Sequence, residues 1–146
     1  MVYGPAGVAA AAGELPVTVV KDGDEIEVGA FNLKFFGAQH AVIHSSIPVI
    51  DNVGVLVNDE LFYGGDALVV PPVEVATLAA PIGAPWLKIG DAMDYVVAVK
   101  PKRVFPVHEM VLSVAGKNMG NDRLTWASEQ GGGSYFVLEP GESLDL

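Results

Sequence analysis

An α/β fold is the expectation for this chain, and three observations carry it. Phe31 to Phe36 alternates Phe31, Leu33 and Phe35 against Asn32 and Lys34, the period of a strand with one buried face. Between Ile89 and Lys100 the apolar residues Ile89, Met93, Val96 and Val97 fall at helical spacing, with Asp91 and Asp94 early, Lys100 late and Pro101 as the stop. Short apolar runs flank that helix, and each ends in a residue able to do chemistry. At 146 residues the simplest organisation is one domain over 1–146.

Taken in order, Val2 opens a short strand, Pro5 favours the first turn of an alanine-rich helix, and Gly13 ends it. Val17–Val20 and Glu25–Val28 flank Lys21-Asp22-Gly23-Asp24, which predicts a hairpin. A second turn at Gly29-Ala30 leads into the Phe31–Phe36 strand. A loop follows that contains His40, His44 and Pro48, and its length points to function more than packing. Val53–Val57 and Leu61–Tyr63 form a hairpin around Asn58-Asp59-Glu60 and deliver Gly64-Gly65-Asp66. Val73–Ala80 has poor periodicity and reads as a short helix or a strand. Val104–Val107 is a strand that delivers His108. Met110–Ala115 and Asp122–Glu129 read as two helices, the second capped by Asn121 and stopped by Gly131–Gly133. Tyr135–Leu138 and Ser143–Leu146 read as a closing hairpin across Pro140-Gly141.

Composition narrows the function classes. Net charge is −10, from 8 Lys and Arg against 18 Asp and Glu, and the one basic cluster is Lys100, Lys102 and Arg103. Nucleic-acid affinity rests on clustered basic residues, so nucleic acid is not an expected partner. No apolar run approaches the ~18 residues of a membrane span, so no membrane partner is expected. Met1 to Ala12 carries no charge and so no basic n-region, which makes a cytoplasmic location the default. Cysteine is absent, which rules out a disulfide framework and a thiolate metal site. Apolar residues make up 51% of the chain, a share consistent with an apolar face kept for a partner.

His40, Asp66 and His108 each follow an apolar strand, and in α/β sheets ligands converge at strand ends. Imidazole with carboxylate suits zinc, manganese or iron. Gly64 and Gly65 let the backbone turn sharply and bring no Cβ near a cation. Each residue also has an ordinary reading. A histidine after a strand is often a surface or capping residue, and Gly-Gly-Asp is a common turn. His44 reads as a loop residue, and Trp86 and Tyr95 as core or rim.

A resemblance adds to these spacings. The run from Phe31 to Asp66 (FFGAQHAVIHSSIP…NVGVLV…LFYGGD) resembles the central part of a metallo-β-lactamase-superfamily hydrolase, and Lys100–Glu109 (KPKRVFPVHE) resembles that family's last ligand segment. The branch it is most similar to is that of metal-dependent hydrolases related to ascorbate-6-phosphate lactonase. The resemblance implies an αββα sandwich, a small-molecule substrate, and hydrolysis by metal-activated water. By it, His40 matches a ligand of one ion, Asp66 the carboxylate shared by two, and His108 a ligand of the other. Asp66 is thereby the residue expected to be central to catalysis.

The family's His-x-His-x-Asp-His segment has no counterpart here, since the chain has three histidines and none precedes position 40. The resemblance therefore implies a single partial, N-terminally truncated domain with two ligands per ion and impaired activity. It also implies an uncovered sheet face, including Phe31, Leu33, Phe35, Val55 and Val57, and hence a homo-oligomer. A non-catalytic oligomerising or binding module that keeps the fold without metals is the competing expectation.

Overall fold

The structure, a computed structural model, describes residues 1–146. Its strands fall into two sheets. The smaller pairs β1 (Val2–Gly4) with β2 (Val17–Val19) in parallel, linked by helix α1 (Ala6–Ala11). The larger has seven strands whose spatial order follows the sequence: β3 (Glu25–Val28), β4 (Phe31–Phe36), β5 (Gly54–Val57), β6 (Leu61–Tyr63), β7 (Thr77–Pro81), β8 (Arg103–Val107) and β9 (Ser134–Tyr135). Pairing is antiparallel from β3 to β6 and parallel from β6 to β9. Strands β4, β6, β7 and β8 therefore point the same way, and their C-terminal ends share one edge.

Side-chain alternation gives the large sheet two unlike faces. Leu56, Phe62, Leu78, Ala80 and Val104 project to one side and form the core with α2 (Ile89–Val99) and α3 (Val114–Gln130). From these helices Ala92, Tyr95, Val96, Leu124 and Ala127 close the cluster. Leu56, Phe62 and Leu78 are essentially fully buried, and each contributes about 1.5–3 kcal/mol of transfer free energy. Over β3 to β6 the opposite face is largely open. Phe31 is 55% exposed and Tyr63 37%, while Leu33, Val55, Val57 and Leu61 are half-buried. Of the five residues expected on an uncovered face, only Phe35 is buried, at 5% exposure.

Several local expectations are corrected. The Asp22-Gly23 turn does not join β2 to β3 in a hairpin. Gly23 N–H donates to Phe35 O and Phe35 N–H to Asp24 O, while Asp22 Oδ1 accepts from Gly37 N–H. The turn is thus bonded to β4, and β2 pairs with β1. The ambiguous Val73–Ala80 stretch contains the central strand β7, whose five residues are all buried; burial on both faces removes the alternation that would mark it. The two helices expected after His108 are one. A single turn of 3₁₀ helix (Glu109–Val111) leads to Ser113, whose Oγ accepts from Gly116 N–H and caps α3. Asn121 lies inside that helix, buried, with its Oδ1 accepting from the Tyr135 hydroxyl at 2.7 Å. Gly120 permits the close approach, because a Cβ there would lie 3.3 Å from Ile82 Cβ. No terminal hairpin forms: Ser134 and Phe136 donate to Lys102 and Val104, placing β9 beside β8.

Candidate metal centre

His40, Asp66 and His108 meet at the shared C-terminal edge of β4, β6 and β8. Asp66 presents one carboxylate oxygen to each histidine. Its Oδ1 lies 2.5 Å from His108 Nε2 and its Oδ2 lies 3.3 Å from His40 Nε2. His40 Nδ1 is 2.5 Å from Ala41 O. A carbonyl can only accept, so Nδ1 carries the hydrogen. When Nε2 carries none, its lone pair faces Oδ2 across 3.3 Å, an arrangement that a cation between them relieves. His40 is mostly covered, whereas His108 and Asp66 are about one-third exposed, so the site opens to solvent on the His108 side.

The local chain explains how each group is held. Gly64 is buried, and a Cβ there would come within 2.8 Å of Ala67 O and 3.2 Å of the Tyr95 hydroxyl. Tyr95 is itself buried, its hydroxyl has no hydrogen-bond partner, and burial pushes its pKa well up. Gly65 adopts φ +67°, and a Cβ there would overlap Asn52 Oδ1. Asn52, just before β5, brackets the turn. Its Nδ2 donates to Gly64 O and its Oδ1 accepts from Asp66 N–H, both at 2.9 Å. Asp66 O in turn accepts from Ala41 N–H at 2.8 Å, tying the Asp66 loop to the residue after His40. His108 sits at φ 64°, a left-handed conformation that costs a non-glycine residue about 1–2 kcal/mol. That strain is the backbone cost of ending β8 abruptly and turning the imidazole back toward Asp66.

Trp86 completes the surroundings. Its ring lies edge-on to both imidazoles, with centroids 6.0 Å from His40 and 6.1 Å from His108. It comes from the segment after β7, the strand between β6 and β8, so it arrives at the same edge. Trp86, read from the sequence as core or rim, borders the site, whereas Asn52 is the residue that sequence reasoning missed. Trp86 carried a usable signal, an aromatic after a strand in an irregular Pro-rich segment. Asn52 carried none, since its role depends on a turn met twelve residues later. Ser45 and Ser46 stay in the exposed loop. There the Ser46 Oγ lies 2.8 Å from His44 Nδ1, and His44 makes no contact with Asp66.

The spacing of the donors bears on whether a divalent ion fits between them. For bonds of about 2.0–2.1 Å, two ligands of a tetrahedral ion stand ~3.3 Å apart. The His40–Asp66 Oδ2 pair has that separation. The His108–Asp66 Oδ1 pair, at 2.5 Å, is a hydrogen bond with no space for an ion between the atoms. No group of three or more His, Asp or Glu side chains is placed to hold a metal ion. Imidazole and carboxylate are cation donors, and here only the His40–Asp66 pair has ligand spacing.

No protein-family profile matches the chain. It is 41% identical over 128 residues to Protein Rv0786c of Mycobacterium tuberculosis, covering 84% of this chain and 60% of that protein. The chain thus spans less than two thirds of that relative's length. Among solved structures it resembles Igni18, a metallo hydrolase from Ignicoccus hospitalis, with TM-score 0.67 and 14% identity, over 97% of this chain and 66% of that one. It also resembles YhfI of Bacillus subtilis, a metallo-β-lactamase fold protein, with TM-score 0.54 and 11% identity, over 87% and 53% of the two chains. The two unlike sheet faces and the helices on one side are therefore those of a metallo-β-lactamase fold.

Proposed function

We propose that the chain is part of a metal-dependent hydrolase, with His40 a ligand of one divalent cation, His108 of a second, and Asp66 shared between them. One observation carries this reading: the carboxylate of Asp66 offers a separate oxygen to each of two imidazoles, and His40 is oriented by Ala41 O so that Nε2 faces inward. Two nitrogens with one carboxylate suit zinc first, then manganese or iron. Bound there, a divalent cation supplies Lewis acidity that makes water nucleophilic near neutral pH. The chain's own residues do the positioning. Asn52 fixes the Asp66 backbone, and Trp86 lies edge-on to both imidazoles.

The same reading treats residues 1–146 as a single, partial metallo-β-lactamase-like domain. It belongs by resemblance to the branch related to ascorbate-6-phosphate lactonase and acts on a small molecule. A His-x-His-x-Asp-His segment is the source of the remaining donors on this reading. Coverage of 60% of the sequence relative and 66% of the Igni18 structure supports that assignment. By itself the open donor set predicts weak metal affinity and reduced activity.

Metal analysis after equilibrium dialysis tests the reading. Zinc is expected to bind, and binding is expected to fall at least tenfold in Asp66→Asn and in His40→Ala. A folded protein that retains no zinc, manganese or iron above the level of Asp66→Asn would refute it.

A second reading, a non-catalytic oligomerising module, is favoured by the open sheet face around Phe31 and Tyr63. Light scattering on the metal-free chain distinguishes it. A homo-oligomer that forms without metal and is dispersed by Phe31→Lys supports the module, and a metal-free monomer refutes it.

A further inference from the structure

A second concave surface lies at the far edge of the large sheet from the candidate centre. Helix α2 carries the chain back from the C-terminal end of β7 to the start of β8, so Lys100 and Lys102 stand at the edge opposite His40, Asp66 and His108. There a cleft of about 560 Å³ opens between the connection leading to β7 and the last turn of α2. Pro71, Pro72 and Val73 form one wall, Ala98 and Val99 the other, and Lys100 and Lys102 line it where α2 stops. Buried Pro71 and Val75 anchor the connection, while Val70 and Val73 stay 49% and 44% exposed. The one basic cluster of a chain with net charge −10 thus adjoins an apolar cleft. Within that cluster Arg103 is paired with Glu60, whereas Lys100 and Lys102 are exposed and enter no ion pair. Glu74 also lines the cleft unpaired, so two cations there face one anion. Lys100 holds the left-handed position that ends α2, at φ 52°, where glycine is the usual residue. A long cation is kept at a position that its own backbone disfavours.

We propose that this cleft docks an extended acidic segment of a partner protein, with aliphatic side chains against its walls and carboxylates on Lys100 and Lys102. Charge selects the acidic partner. Over the rest of the chain such a segment meets mostly carboxylates, and at physiological salt a screening length of about 8 Å leaves the two lysines dominant in the cleft. Backbone chemistry selects a peptide over a fatty carboxylate. Pro101 has no N–H and Arg103 N–H donates to Ala76 O, so the carbonyls of Val97, Ala98 and Val99 receive no backbone donor from this chain. A peptide brings N–H groups to them, whereas an acyl chain would cover them unpaired. The same carbonyls are the negative end of the α2 dipole, which favours spaced carboxylates over a compact phosphate dianion. Pro71 and Pro72 lack N–H groups, so their wall cannot add the segment as a strand and holds it by side-chain burial. Docking here needs neither a metal ion nor hydrolysis.

Fluorescence anisotropy of the full chain with three short labelled peptides, in which leucine alternates with aspartate, asparagine or lysine, tests the proposal. The aspartate peptide is expected to bind about fivefold or more tightly than the asparagine peptide, and the lysine peptide more weakly than either. Lys102→Gln should cost the aspartate peptide about two- to fivefold, and Lys100→Glu/Lys102→Glu about tenfold or more. Glu74→Gln, which removes the opposing charge, should tighten it about twofold. Val73→Ser should weaken it about threefold through the lost wall. Lys100→Gly separates docking from folding, because it relieves the left-handed backbone: its urea midpoint should rise while its affinity falls. Equal affinity for the aspartate and asparagine peptides would overturn the proposal. So would an aspartate affinity that survives the double lysine variant, or no saturable binding of that peptide at all. Displacement of the peptide by sodium octanoate or inorganic phosphate at concentrations near its own Kd would also overturn it, since the cleft would then hold a small anion and not a protein segment.

Discussion

Asn52 and Gly65 should behave as one unit, and a double-mutant cycle can measure it. Asn52 makes two hydrogen bonds to the Gly64-Gly65-Asp66 turn. At about 1 kcal/mol each, with half-buried groups left unpaired, Asn52→Ala should cost about 2 kcal/mol. Gly65→Ala carries two penalties. The first is a left-handed backbone at φ +67°, costing an alanine about 1–2 kcal/mol. The second is overlap of the new Cβ with Asn52 Oδ1, which displaces the Asn52 side chain and forfeits its ~2 kcal/mol. The single Gly65→Ala change should therefore cost about 3–4 kcal/mol. In Asn52→Ala/Gly65→Ala the side chain responsible for the overlap is gone, and only the backbone penalty is added to the lost bonds. The double variant should be no less stable than Gly65→Ala alone, giving a coupling near 2 kcal/mol between residues in contact. Urea unfolding at pH 7 with a common m-value is the assay. Additive costs, within about 0.5 kcal/mol, would refute the bracket as the reason for the glycine.

Other outcomes follow from single features. Burial holds the Tyr95 phenol above its ordinary value, and burial with the nearby Glu109 charge does the same for Tyr135. The folded chain then keeps protons that the unfolded chain sheds, so stability should be unaffected below pH ~10 and fall above it by up to about 1.4 kcal/mol per pH unit for each tyrosine. Urea midpoints between pH 8 and 11.5 check this, and a flat profile would contradict the burial. Ser113→Ala removes the cap of α3 and should cost about 1 kcal/mol in the same assay, whereas an Asn121 change should act through the lost Tyr135 bond and not through capping. With Trp126→Phe leaving Trp86 as the sole indole, zinc addition should alter its emission, and His40→Ala/His108→Ala should abolish that response. An unchanged spectrum on addition of zinc would count against metal between the imidazoles.

What the sequence disclosed depended on whether the signal was local. The β4 strand, the β5–β6 hairpin and α2 carry their own periodicity and stop residues, and all three form where expected. His40, Asp66 and His108 were legible because each closes an apolar run, and parallel neighbours bring such ends to one edge. Strand β7 was ambiguous because burial on both faces erases alternation. The Asp22-Gly23 turn misled because turn chemistry specifies a reversal and not the strand that receives its hydrogen bonds. Two helices were expected where the single α3 forms, and Gly116 and Gly120 lie within it. Their actual use is to let α3 lie close to Leu112 and Ile82, which no local pattern encodes.

The sequential order of the large sheet bears on how the site assembles. Every strand from β3 to β9 borders its neighbours in sequence, so each pairing closes only the segment between two consecutive strands. Loop-closure entropy is then met in small instalments, which favours quick, stepwise growth of the sheet from any hairpin that forms first. The β5–β6 hairpin is the shortest such closure near the site, and it carries Asn52 at one end and Asp66 at the other. The carboxylate can be set in its turn before β7 and β8 dock. When that hairpin forms first, His108 joins Asp66 only once β8 docks, on the strand that also takes up the strained backbone at its end. Variants that slow docking of β8 should therefore leave a collapsed intermediate with Asp66 in place and its second histidine absent.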